Sequence, residues 1–221
     1  MNNMKNSQYV VFLIFLALLS CQQENKKKET QTLPYFNSYD FTPQWGKDFK
    51  IHKIAPFQLI NQKGKIISDK QYKGKIYVAN FFFTSCTGIC NTLTKNMALL
   101  QQKLEKDTLV QFISHSVTPK IDSVATLSNY VDFKGLKTHN WNLVTGNKEE
   151  IYKLARESYF ADADYKETNK PSSFIHSENF LLIDSEGYIR GVYNGTLQLE
   201  MTRIAKHVAV LEKEFYPKKT N

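Results

Sequence analysis

The run Ile76-Tyr-Val-Ala-Asn-Phe-Phe-Phe83 constrains this chain more than any other feature. It is almost continuously apolar and rich in β-branched and aromatic residues. Gly74 and the break at Thr84-Ser85 bound it. A strand of that pattern has no polar side to offer to water, so both of its faces must be covered. The flanking sequence supplies the cover. Leu93, Met97, Leu100 and Leu104 fall on one stripe of a helix, Val124, Leu127 and Val131 on a second, and Ile151, Leu154 and Ala155 on a third. Between them, Leu109 to Val117 and Trp141 to Val144 read as further strands, the first stopped by Pro119.

Two hairpins flank this core. Phe57 to Ile60 and Lys65 to Ser68 read as short strands around Asn61-Gln-Lys-Gly64. Asn179 to Ile183 and Tyr188 to Tyr193 read as a second pair around Asp184-Ser-Glu-Gly187. Ile204, Val208, Leu211 and Phe215 then mark a closing amphipathic helix. Strands alternating with helices predict an α/β fold, a central sheet with helices on both faces. The order β-α-β-α, then β-β-α, is that of thioredoxin-like folds.

The N-terminus belongs to a different class of segment. Tyr9 to Leu19 is unbroken apolar sequence after Lys5. It is shorter than the roughly 20 residues that span a bilayer as a helix, so it reads as the h-region of a signal peptide. It ends in Leu18-Leu19-Ser20-Cys21. An aliphatic residue, a small residue and a cysteine in that place resemble a bacterial lipoprotein lipobox, which implies acylation of Cys21. Gln22 to Thr32 is polar and charged, as a tether would be. The expected organisation is therefore a signal peptide at 1–20, a lipidated tether at 21–45 and one folded domain at 46–221. The expected location is the cell envelope, outside the cytoplasm and anchored to a membrane. The formal charge of +8 is mostly lysine. With no nucleic-acid signature beside it, it reads as a solvated surface, and no nucleic-acid partner is expected.

Of the three cysteines, the anchor takes one and leaves Cys86 and Cys90. In an oxidising compartment a lone close pair tends to react. Cys86 directly follows the buried strand, and Cys90 falls in the first turn of the next helix. The carboxyl end of a central strand is where α/β folds place ligands, and helix-start N–H groups favour thiolate. The spacing lets both sulfurs face one side, which suits either a disulfide or two legs of a metal site. Thiolates are soft donors that suit copper(I), and two of them need a third ligand. Of five histidines, His52 and His139 fall in loops, His207 lies beside the apolar stripe of the last helix and His115 lies near a strand end. His176 opens the segment that leads into the late hairpin. In a thioredoxin-like fold that segment faces the cysteine loop, which makes His176 the best third ligand. His115 is the candidate fourth donor should zinc compete.

On these residues the chain resembles the Sco/SenC family of copper-delivery proteins, from about Phe57 to the last helix. Cys86-Thr-Gly-Ile-Cys90 is similar to the family's cysteine loop, His115-Ser-Val-Thr-Pro-Lys-Ile-Asp122 to its strand-end motif, and Trp141-Asn-Leu-Val-Thr-Gly146 to its tryptophan segment. His176-Ser177 with Leu181-Leu-Ile-Asp184 and Gly187 resembles its histidine motif. The resemblance implies copper held by Cys86, Cys90 and His176. It also implies a carrier rather than an enzyme, serving the copper-bearing subunit of cytochrome c oxidase or other envelope copper proteins. The alternative is a thiol–disulfide oxidoreductase with Cys86 and Cys90 as its redox pair. Three departures stand out. Thr87 and Asn91 replace the prolines usual after each cysteine, and Thr118 replaces an aspartate, while Asp122 is retained.

Overall fold

The computed structural model of the protein describes residues 32–46, 48–161 and 177–217. The expected leader at 1–20, Cys21 and His176 lie outside the described residues.

The apolar run forms β5 (Ile76–Phe82), and every one of its residues is buried. It lies inside a seven-stranded sheet. The other strands are β3 (Gln58–Asn61), β4 (Ile66–Ser68), β6 (Val110–Ser116), β7 (Trp141–Thr145), β8 (Asn179–Ile183) and β9 (Ile189–Asn194). Their spatial order is β4-β3-β7-β6-β5-β8-β9. Strands β5, β6 and β7 run parallel, and the two hairpins add antiparallel strands on either side. The hairpin register sets Val78 against Leu182 and Ala79 against Leu181, so the central strand is flanked by apolar neighbours.

Alternation along the strands divides the core into two layers. On one face Val78, Phe82, Phe112 and Leu182 pack with α1 (Cys90–Lys103), α2 (Val124–Lys134) and α4 (Gln198–Phe215). On the other, Ala79, Phe81, Ile113 and Leu181 pack with α3 (Lys148–Lys153) and the residues after it. The predicted helices are thus found, on both faces. The third departs from expectation in one respect: its apolar stripe continues as a π-helical turn, Leu154–Ser158. Local chemistry sets the helix ends. Ser123 caps α2 by accepting from the Thr126 N–H at 3.1 Å. Gly135 closes it at φ 62°, a left-handed conformation that glycine adopts without strain.

The folded unit begins at Thr32, earlier than the 46 expected from composition. Leu33 and Tyr35 are buried, and a two-stranded ribbon forms from β1 (Tyr35–Phe36) and β2 (Pro43–Gln44). Arg190 explains the shift. From β9 it donates to the Leu33 and Pro34 carbonyls at 2.7 and 3.1 Å, and its guanidinium lies 4.2 Å from the centre of the Tyr35 ring. The segment from Leu33 to Tyr35 is thereby sewn to the sheet by an arginine distant in sequence.

Candidate metal and dithiol centre

The site lies at the carboxyl end of β5. Phe83 accepts from the Cys86 N–H at 3.4 Å, closing a turn whose middle residues are Thr84 and Ser85. Cys90 then opens α1, and its side chain packs into the core beside Phe82 and Leu93. Both cysteines are free thiols, Cys86 half-buried and Cys90 buried. They line a cavity of about 400 Å³ together with Phe81, Phe82, Val117 and Ser177. Ser177 directly follows His176 in the chain.

The two sulfurs are not equivalent. Partial burial alone would raise the Cys86 thiol. Hydrogen bonds from the Cys90 thiol and from the backbone N–H groups of Cys90 and Gly88 outweigh it, holding Cys86 below its ordinary value. Burial pushes the Cys90 thiol up, and its bond to Cys86 and the Asp122 charge push it further. In this coupled pair the first proton leaves from Cys86 and Cys90 keeps the second. Helix α1 has no side-chain N-cap. Its first amide serves the Cys86 sulfur instead, a use of unsatisfied helix-start donors that favours thiolate.

Asp122 organises the surroundings. It is wholly buried. Its carboxylate accepts from the Thr84 N–H at 3.2 Å, from the Thr84 hydroxyl, from Ser116 Oγ at 2.6 Å and from Thr118 Oγ1 at 3.1 Å. Thr118, which stands where the resemblance led one to expect aspartate, acts as a donor to Asp122. Asn91, the second departure, accepts from Lys134 Nζ at 2.8 Å and so links the start of α1 to the end of α2. Nothing in the structure explains Thr87, which is exposed.

His115 does not belong to the site. It sits within β6, fully buried on the face opposite Cys90, with its ring stacked 4.9 Å from Phe81. Phe57 and Tyr159 enclose it further. In sequence it is a possible fourth donor, because its place near a strand end leaves its facing undetermined. The register decides it. The other described histidines are also engaged elsewhere or exposed. His52 Nε2 lies 2.8 Å from the Ser158 carbonyl oxygen and His207 Nδ1 lies 2.8 Å from the Tyr193 hydroxyl, while His139 is exposed. Among the described residues, no three His, Cys, Asp or Glu side chains stand together as a metal site. Sequence reasoning brought Cys86 and Cys90 together correctly. It noted Asp122 only as a retained residue and missed its role as a hub, for which the hydroxyl-rich string Ser116, Thr118 and Thr84 was the available signal.

Fold and site together define a thioredoxin-like protein with an asymmetric dithiol at the end of its central strand. The chain matches the SCO1/SenC family over residues 46–211 and belongs to that family. It is similar to the crystal structure of a SCO1/SenC family lipoprotein from Bacillus anthracis, at 35% identity and a TM-score of 0.61, covering 72% of this chain and 95% of that one. A second similar structure is BsSco, described as containing a disulfide switch and as a member of the Sco family of cytochrome c oxidase assembly proteins. There the identity is 29% and the TM-score 0.59, over 75% of this chain and 99% of that one. A third is ScoI of Bradyrhizobium japonicum with copper bound, at 26% identity and a TM-score of 0.55, over 70% and 98% of the two chains.

Proposed function

We propose that this protein is an envelope copper metallochaperone. Copper is held by Cys86, Cys90 and His176 and passed on during assembly of the dinuclear copper site of cytochrome c oxidase, with Cys21 as the lipid anchor. The observation that carries the reading is the shared cavity. Cys86, Cys90 and Ser177 line one space, which brings the residue next to His176 to the thiols. The copper-bound relative supports the metal. The position of His115 supports copper over zinc, because a structural zinc site usually needs a fourth protein ligand and copper(I) is well served by soft sulfur donors.

A second reading has its own support. One thiol held low beside one held high is the arrangement of an attacking and a resolving cysteine, so a thiol–disulfide oxidoreductase acting on envelope proteins remains the alternative. Metal competition on the reduced protein separates the two. The copper reading requires that copper(I) displace zinc and that His176→Ala weaken retention. Turnover of a disulfide substrate that is indifferent to His176→Ala, without copper retention, selects the oxidoreductase. Mass spectrometry of the envelope protein tests the anchor, since an unmodified Cys21 contradicts it.

A further inference from the structure

Asp122 is an unusual buried charge. Its donors are a backbone amide and three hydroxyls. It has no ion pair among the described residues. A buried carboxylate without a cation is expensive unless its hydrogen bonds are nearly complete, and this one takes four. The donors come from two separate loops. Thr84 lies in the turn that carries Cys86, while Ser116 and Thr118 lead out of β6. The neighbouring backbone adds a strut, with Val117 N–H donating to the Phe82 carbonyl at 2.9 Å. The turn from Phe83 to Cys86 therefore has both hydrogen-bond donors of Thr84 pinned to one carboxylate.

We propose that Asp122 is the positioning residue of the cysteine pair: by holding Thr84 it fixes where Cys86 leaves the strand, and so sets how readily Cys86 and Cys90 join. The inference rests on the reading of these cysteines as a working pair, but it concerns their geometry and not the metal. The Ser116 and Thr118 hydroxyls and the Thr84 backbone N–H all donate to Asp122 Oδ2, and the Thr84 hydroxyl alone meets Oδ1. An asparagine can reproduce this pattern. Its oxygen takes the place of Oδ2, and its amide donates to the Thr84 hydroxyl, which turns to accept. Geometry survives in Asp122→Asn and the charge does not. Asp122→Ala loses both.

The test is the equilibrium between the Cys86–Cys90 disulfide and the dithiol in glutathione redox buffers, measured without metal on the full chain, with thermal melting to check folding. Asp122→Ala is expected to lower the disulfide-forming constant about tenfold, a shift of about 30 mV for a two-electron couple. Asp122→Asn is expected to stay within about threefold of the parent. Should Asp122→Ala fail to fold, Thr84→Val carries the test, since it keeps the shape and removes only the hydroxyl, and a shift of about threefold is expected. A folded Asp122→Ala with the parent's constant overturns the proposal. So does an unshifted Thr84→Val, and so does an Asp122→Asn as impaired as the alanine variant, which would assign the effect to charge. Because no copper is present, failure of the copper reading leaves these outcomes readable.

Discussion

Two buried aspartates stand near opposite ends of the sheet, and they are neutralised in opposite ways. Asp184, in the turn between β8 and β9, meets Arg190 at 3.0 Å, and Arg190 also pairs with Glu214 at 3.0 Å. Asp122, beside the cysteines, meets only hydroxyls and an amide. The Arg190 cluster ties the start of the folded unit to β9 and α4, distant pieces that need a strong many-armed donor. The Asp122 cluster ties two loops that already adjoin. A cation there would lie beside the thiols and compete with a metal ion for them. The end that closes the fold uses ion pairing, while the end that carries the cysteines holds its buried carboxylate with neutral groups.

Breaking the ion-paired end should have the largest effect. Arg190→Met leaves Asp184 buried without its cation, and urea unfolding at pH 7 should show a loss of about 3–5 kcal/mol. Burial already holds the Asp184 carboxyl above its ordinary value despite the arginine. Without Arg190 the carboxyl can take a proton more easily, so the deficit should shrink as the pH is lowered toward 4. A loss that is independent of pH would show that packing, not charge, dominates that end.

His115 sharpens the comparison as a buried group that has no charged partner among the described residues. Burial depresses it to about 4, and its Nε2 has no hydrogen-bond partner among the described residues. In the unfolded chain it protonates near 6.5. Between those values the unfolded state binds the extra proton, so stability should fall as pH drops from about 6.5 to about 4, by about 3 kcal/mol in total. In His115→Phe, where the ring neighbours are Phe57, Phe81 and Tyr159, that part of the acid sensitivity should vanish. Denaturation curves at pH 7 and pH 4.5 for both proteins check it.

The smallest expected effect is at the hydroxyl end. Thr118→Ala removes one of four donors to Asp122 and should cost about 1 kcal/mol, because the other three remain. A cost as large as that of Arg190→Met would erase the contrast between the two ends.

The sheet and its cover were legible because their signals are local. Ile76 to Phe83 has no polar face, and the stripes of α1 and α4 repeat at helical spacing. The cysteine pair was legible because strand, cysteine and helix follow one another directly. Other features depend on contacts across the chain. Nothing in Leu33 to Phe36 announces that Arg190 will bind its carbonyls. The side of the sheet that His115 occupies turns on where β6 starts, and a one-residue change in register would reverse it. Asp122 reads in sequence as an ordinary loop aspartate, and becomes a hub only when Thr84 is folded against it.

The most direct measurement is X-ray absorption at the copper edge on the reduced full chain loaded with copper(I), repeated on Cys86→Ser, Cys90→Ser and His176→Ala. The expected result is two sulfur scatterers and one nitrogen in the parent, one sulfur fewer in each cysteine variant, loss of the nitrogen in the histidine variant, and no copper uptake by the disulfide form, since oxidation removes both soft donors. An unchanged sulfur shell in either cysteine variant, or copper held equally well by the oxidised protein, would contradict it.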